Sequence, residues 1–132
     1  MDLVLLDTSV LIDFFSSRPS PRADRVRAAL AEREGSAIFC CADATLVEFL
    51  GGLSTAEERK LRPFTADLTY LQTSRRIAED AATLRRTLRR RGADIPPSDC
   101  LLAAIARHYG AVLSTSDQHF LRIPRLQVEF FA

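Results

Sequence analysis

The sequence predicts an α/β fold built on a short, mostly parallel central sheet, and three observations predict it. Short apolar runs alternate with segments of helical period along the whole chain. The runs Leu3–Leu6 and Ala37–Ala42 are continuous rather than alternating, the pattern of strands buried on both faces. No linker, internal repeat or low-complexity tract interrupts them, so residues 1–132 are read as one domain, long enough to bury a substantial core.

The elements follow in order. Leu3–Leu6 is the first strand, and Asp7-Thr8-Ser9 offers capping oxygens for a short helix from Val10 to Phe15. Pro19 and Pro21 break that helix. Ala23, Val26, Ala29 and Leu30 mark a second helix from Pro21 to Glu34, ended by Gly35. Ala37–Ala42 is the second strand. Asp43 is positioned to cap a helix to Leu50, closed by Gly51-Gly52. Ser54-Thr55-Ala56-Glu57 has the form of a capping box, and Pro63 is expected to end or kink the helix it opens. Leu68–Leu71 is a candidate third strand. A long helix covers Ser74–Arg91, with Ile77, Ala81, Leu84 and Leu88 on one face and arginines on the other. Pro96-Pro97-Ser98 opens another, ending near Gly110. Ala111–Ser114 is the fourth strand, Asp117–Leu121 a helical turn and Leu126–Phe131 the final strand.

Composition narrows the function classes. The net charge of +1 gives no global field for nucleic acid, so a polyanion site has to come from local residues. No apolar run approaches the roughly 20 residues that span a bilayer, and the acidic Asp2 without a basic leader argues against a signal peptide. The expectation is a cytoplasmic protein with no membrane association. Cys40, Cys41 and Cys100 are odd in number and lack metal-ligand spacing, so they read as buried structural thiols of a reducing compartment.

Four acids carry the chemistry. Asp7, Glu48, Asp99 and Asp117 each sit at the edge of an apolar segment, where an uncompensated charge is costly. Asp7 follows the first strand and Asp117 closely follows the fourth. Both therefore belong to the carboxyl-terminal edge of the sheet, where open α/β sheets bind ligands. Glu48 has only Ala44, Thr45, Gly51 and Gly52 three and four residues away, which predicts a shallow pocket around it. Asp99 is the charged group at the head of Cys100–Ala106, a stretch with no polar side chain. Each acid has a structural reading as well. Asp7 and Asp117 suit helix caps or turns, Asp99 suits a helix dipole, and Glu48 suits a solvated face. Convergence of all four would instead demand a cation, and hard carboxylate oxygens suit Mg²⁺ or Mn²⁺. A phosphodiester is the natural substrate of such a centre.

The segments Leu-Leu-Asp-Thr-Ser-Val-Leu-Ile-Asp, Val-Glu-Phe-Leu-Gly-Gly-Leu, Ile-Pro-Pro-Ser-Asp-Cys-Leu-Leu-Ala-Ala-Ile-Ala and Leu-Ser-Thr-Ser-Asp-Gln-His-Phe, in that order, resemble the PIN-domain ribonucleases. Within that family the chain is most similar to the VapC toxins of type II toxin–antitoxin modules. The resemblance implies a PIN-like α/β/α sandwich and Mg²⁺- or Mn²⁺-dependent endoribonuclease activity on RNA. It implies that Asp7, Asp99 and Asp117 ligate the metal directly or through water, and that Glu48 is a further ligand or positions the attacking water. Thr115 matches a hydroxyl that members often carry two residues before the last acid. The resemblance also implies a homodimer and a VapB-like antitoxin whose C-terminal segment blocks the active site. A non-toxin PIN nuclease, or a PIN module that only binds RNA or protein, is the alternative.

Two other classes fit less well. A receiver domain needs a lysine after a late strand, and Lys60, the only lysine, falls within a helix. A haloacid-dehalogenase-like phosphatase needs Asp-x-Asp after its first strand, where this chain has Asp7-Thr8-Ser9. Arg85–Arg91 reads as a solvated, dipole-favoured helix end or as an RNA-backbone contact. Asp13 reads as structural or as a support for the ligands, and the phenylalanines as core or dimer contacts. His108 and His119 have no spacing that suggests metal or nucleophile work, and are expected to be non-catalytic.

Overall fold

Residues 1–132 are described by a computed structural model. The strands are β1 (Asp2–Leu6), β2 (Ala37–Cys41), β3 (Thr69–Tyr70), β4 (Val112–Thr115) and β5 (Val128–Phe130). The helices are α1 (Thr8–Phe15), α2 (Pro21–Glu32), α3 (Asp43–Gly51), α4 (Thr55–Ala66), α5 (Arg75–Arg90) and α6 (Pro97–Tyr109), with a 3-10 turn at Gln118–Arg122. All five strands are parallel, in the order β3-β2-β1-β4-β5. The chain first builds outward from β1 to β3, then returns to the other side of β1 for β4 and β5. The switch point of this topology lies between β1 and β4, paired in register from Val4↔Val112 to Leu6↔Ser114.

The sheet separates two cores, and successive residues of β1 choose between them. Leu5 joins a cluster with Ile77, Leu84 and Leu88 of α5 and Leu102, Ala103 and Ile105 of α6. Val4 and Leu6 face a second cluster with Val10, Leu11, Val26, Leu30 and Phe49. Burial on both faces explains the unbroken apolar runs. α5 and α6 form one helical layer, and α1, α2 and α3 contribute to the other.

Several boundaries depart from expectation. α4 does not end at Pro63 but continues to Ala66. Proline removes a single backbone donor, and Leu61 before it and Leu68 after it pack on the second core, with Phe64 and Phe15 at 5.6 Å between ring centroids. The capping box is present, with Glu57 N donating to Ser54 Oγ and Ser54 N to Glu57 Oε1. Asp43 is the first residue of α3 rather than its cap, and its carboxylate accepts from Ala44 N at 2.9 Å. α2 ends two residues earlier than predicted, before a turn in which Gly35 takes a φ of 83°. β3 and β5, at the two sheet edges, have one neighbour each and pair over shorter spans than Leu68–Leu71 and Leu126–Phe131.

All three cysteines are free and buried, and burial pushes each thiol above its ordinary pKa, which suits inert core residues. Asp13 is structural. It is buried and paired with Arg22 at 2.7 Å, and Arg27 donates to its carbonyl, tying α1 to α2. No helix is long and apolar enough to cross a membrane.

Candidate metal centre

The four acids reach one place by four local routes. Asp7 leaves β1 at the switch point, its backbone N–H donating to Ser114 O at 3.0 Å, and caps α1. Its carboxylate is 8% exposed and accepts from Thr8 N at 2.8 Å and from Thr115 Oγ1 at 2.7 Å. Thr115, fully buried at the end of β4, accepts in turn from Asp117 N at 3.0 Å. One hydroxyl thus couples the first acid to the segment carrying the fourth. Ser9 adds a second tie, its Oγ accepting from Ser116 N at 3.1 Å.

Asp117 caps the 3-10 turn by accepting from His119 N at 2.9 Å. Asp99 lies in the first turn of α6, whose N-cap is Pro96 with no side-chain cap. α6 packs against α5 through Leu102 and Ala103, which fixes the direction of that first turn. Glu48 is exposed rather than pocketed. Its anchor is Thr8 Oγ1 at 3.0 Å, across from α1, and the small residues of α3 leave room for that approach.

The electrostatics show that the acids share a site. Asp99 is pushed up to about 6, first by burial, then by Asp7, Asp117 and Glu48, with no hydrogen bond to offset them. Burial also raises Asp7, and Glu48 and Asp117 add to the rise, while its bonds from Thr115 and Thr8 oppose it. No lysine or arginine forms an ion pair with any of the four acids. The structure therefore brings together every acid singled out in the sequence. The cap readings of Asp7 and Asp117 hold too: Asp7 caps with Oδ1 while its Oδ2 accepts from Thr115 and Ser9, and Asp117 caps with Oδ1 and leaves Oδ2 unbonded.

His119, which no helical or strand spacing ties to the acids, lies beside two of them. The 3-10 turn brings its Nδ1 to 3.3 Å from Asp117 Oδ1 and 3.9 Å from Asp99 Oδ2, and the three donor atoms lie within 4.8 Å of one another. Its signal was the Asp-x-His spacing across a tight turn, which is not a helical or strand ligand motif. Thr8 and Ser9 were read only as cap candidates, yet both hold the site. His108 lies elsewhere, stacked edge-on against Tyr109.

The donor set fits a divalent cation. A cation about 2.1 Å from each oxygen ligand needs donors within roughly 4.2 Å of one another, close to the spacing found. Four carboxylates without a lysine or arginine partner supply the charge, and the solvent-shielded His119 Nδ1, which has no hydrogen-bond partner, lies beside Asp99 and Asp117.

Comparison with known proteins agrees with this geometry. The chain is 31% identical over 134 residues to a VapC ribonuclease from Mycobacterium bovis, covering 98% of this chain and 99% of that one. Ribonuclease VapC11 from Mycobacterium tuberculosis matches to the same extent. Among solved structures, DNA-bound VapBC from Salmonella typhimurium superposes with a TM-score of 0.80 at 27% identity over the full length of both chains. VapBC2 from Rickettsia felis, bound to a promoter DNA fragment, shares the fold with a TM-score of 0.83. Residues 4–126 match the PIN domain, and with these relatives spanning its length the chain belongs to the PIN-domain family, in its VapC group.

Proposed function

We propose that this protein is a divalent-metal-dependent endoribonuclease acting in the cytoplasm as the toxin of a toxin–antitoxin pair. The observation that carries the reading is the convergence of Asp7, Glu48, Asp99 and Asp117, without lysine or arginine partners, at the β1/β4 switch point. The ribonuclease names of its relatives support RNA as substrate. A bound Mg²⁺ or Mn²⁺ would neutralise charge at the phosphodiester and lower the pKa of a bound water, so that it could attack as hydroxide.

The chain's own residues then divide the work. Asp99 and Asp117 offer the open oxygens of the centre. Asp7, locked by Thr8 N and Thr115, presents its carboxylate in one fixed geometry. Glu48, solvent-facing and anchored by Thr8, is placed to orient a water or to take its proton.

The partner belongs to the same proposal. An apolar groove of about 580 Å³ runs between α1, α2, α4 and the sheet, lined by Leu11, Phe14, Phe15, Leu30, Phe64 and Leu68 among others. Phe64 is 56% exposed at its rim. The groove would suit an apolar segment of a VapB-like antitoxin, and the VapBC complexes among the structural relatives support such a partner. A homodimer is proposed with it.

The purified protein should cleave RNA with Mg²⁺ or Mn²⁺ and stop when the metal is chelated. Asp99→Asn should lose at least about a hundredfold in rate, since one preorganised electrostatic group is commonly worth that much. Cleavage that survives chelation, or equal cleavage by the variant, would leave a module that binds RNA or protein without cutting it.

A further inference from the structure

His119 has an unusual environment for a histidine at a carboxylate cluster. Its side chain is 43% exposed, so the ring is not held there as a core residue. Its Nδ1 is nonetheless shielded from solvent and makes no hydrogen bond, whereas shielded polar atoms are nearly always paired. The two nearest acceptors do not satisfy it. Asp99 Oδ2 at 3.9 Å is beyond hydrogen-bond reach, and Asp117 Oδ1 at 3.3 Å already accepts the backbone N–H of His119 itself at 2.9 Å. What the nitrogen does share with both carboxylates is a space one cation wide.

We propose that His119 is a metal ligand. Its Nδ1 completes, with Asp99 and Asp117, a face of two oxygens and one nitrogen, and this face makes the centre select Mn²⁺ over Mg²⁺. The inference rests on the reading of the acids as a metal centre. Its chemistry is that of ligand softness: an imidazole nitrogen suits transition ions, whereas Mg²⁺ keeps to oxygen donors and holds its waters. The 3-10 turn is the device that delivers the nitrogen. Asp117 caps the turn through its backbone contact with His119, so oxygen and nitrogen are set in one geometry by two residues of a single turn. Asp99 then closes the face from α6. In this arrangement Nδ1 carries the lone pair and Nε2 the proton.

Pulsed electron paramagnetic resonance on the full-length protein loaded with Mn²⁺, beside calorimetric binding of Mn²⁺ and Mg²⁺ separately, tests this. The wild type should show coupling to a directly bound nitrogen. His119→Ala, checked for an unchanged melting temperature without metal, should abolish that coupling. It should weaken Mn²⁺ binding about tenfold or more while changing Mg²⁺ binding less than about threefold. His119→Gln, which keeps the bulk, should behave as the alanine variant does. Mn²⁺ bound without nitrogen coupling, or an equal loss for both ions, overturns the proposal while leaving the acids as the metal centre. Mn²⁺ binding that Asp99→Asn does not reduce overturns both.

Discussion

At the scale of single residues, Asp99 carries the cost of the site. Its carboxyl ionises near 3.8 in the unfolded chain and near 6 in the folded one, because burial and three acids oppose its charge. Over that interval the unfolded state binds fewer protons than the folded state. The stability gained from holding the acid neutral is therefore complete below about 3.8 and is lost as pH rises through 6. Asp7 shifts in the same direction. Without metal, the melting temperature of the wild type should fall between about pH 4 and 6 relative to Asp99→Asn, which lacks this loss. Mn²⁺ at pH 7 should restore it by binding the charged form. Parallel melting curves for the two proteins across that range would show that the four acids do not interact.

Residue types and spacing made the four acids visible in the sequence. Their supports were not visible. That Thr115 joins Asp7 to the Asp117 segment depends on β4 lying beside β1, and no local pattern announces strand order. The place of His119 was not legible either, because a 3-10 turn, not a helical or strand spacing, brings its Nδ1 and Asp117 Oδ1 to 3.3 Å. The pocket expected around Glu48 is missing because the small residues of α3 admit Thr8 rather than enclose the acid.

At the scale of elements, α4 shows how packing outweighs a local rule. Pro63 forfeits one backbone bond, but Leu61 and Leu68 on either side pack on the second core and Phe64 lies against Phe15. The result is a helix that presents Phe64 beside Phe15 at the mouth of the groove. If the groove is the antitoxin site, Phe64→Glu should weaken neutralisation by the cognate antitoxin at least about tenfold, the scale of one buried aromatic anchor. RNA cleavage by the isolated chain should stay unchanged, since Phe64 lies outside the acid cluster. Light scattering on the same sample should report twice the monomer mass. Full neutralisation of the variant would place the antitoxin elsewhere. The helices and long apolar strands were legible because period and burial agree along them. The edge strands were not, because β3 and β5 each have one neighbour and their ends are set by pairing rather than by side-chain pattern.

At the scale of the molecule, the fold positions one site. A five-stranded parallel sheet reverses its strand order beside β1, and that reversal opens the crevice into which Asp7 and Asp117 emerge. α6 and α3 then aim Asp99 and Glu48 at the same crevice from separate layers. Two cores on opposite faces hold the sheet, so its carboxyl-terminal edge is free to carry unfavourable charge. On the proposed function, this charge serves to bind a cation. A crystal soaked in Mn²⁺ and measured for anomalous scattering tests it most directly. A peak should appear about 2.0–2.4 Å from Asp99 and Asp117 oxygens and be absent from Asp99→Asn crystals. An empty cluster at saturating Mn²⁺, or a peak only at other carboxylates, would contradict it.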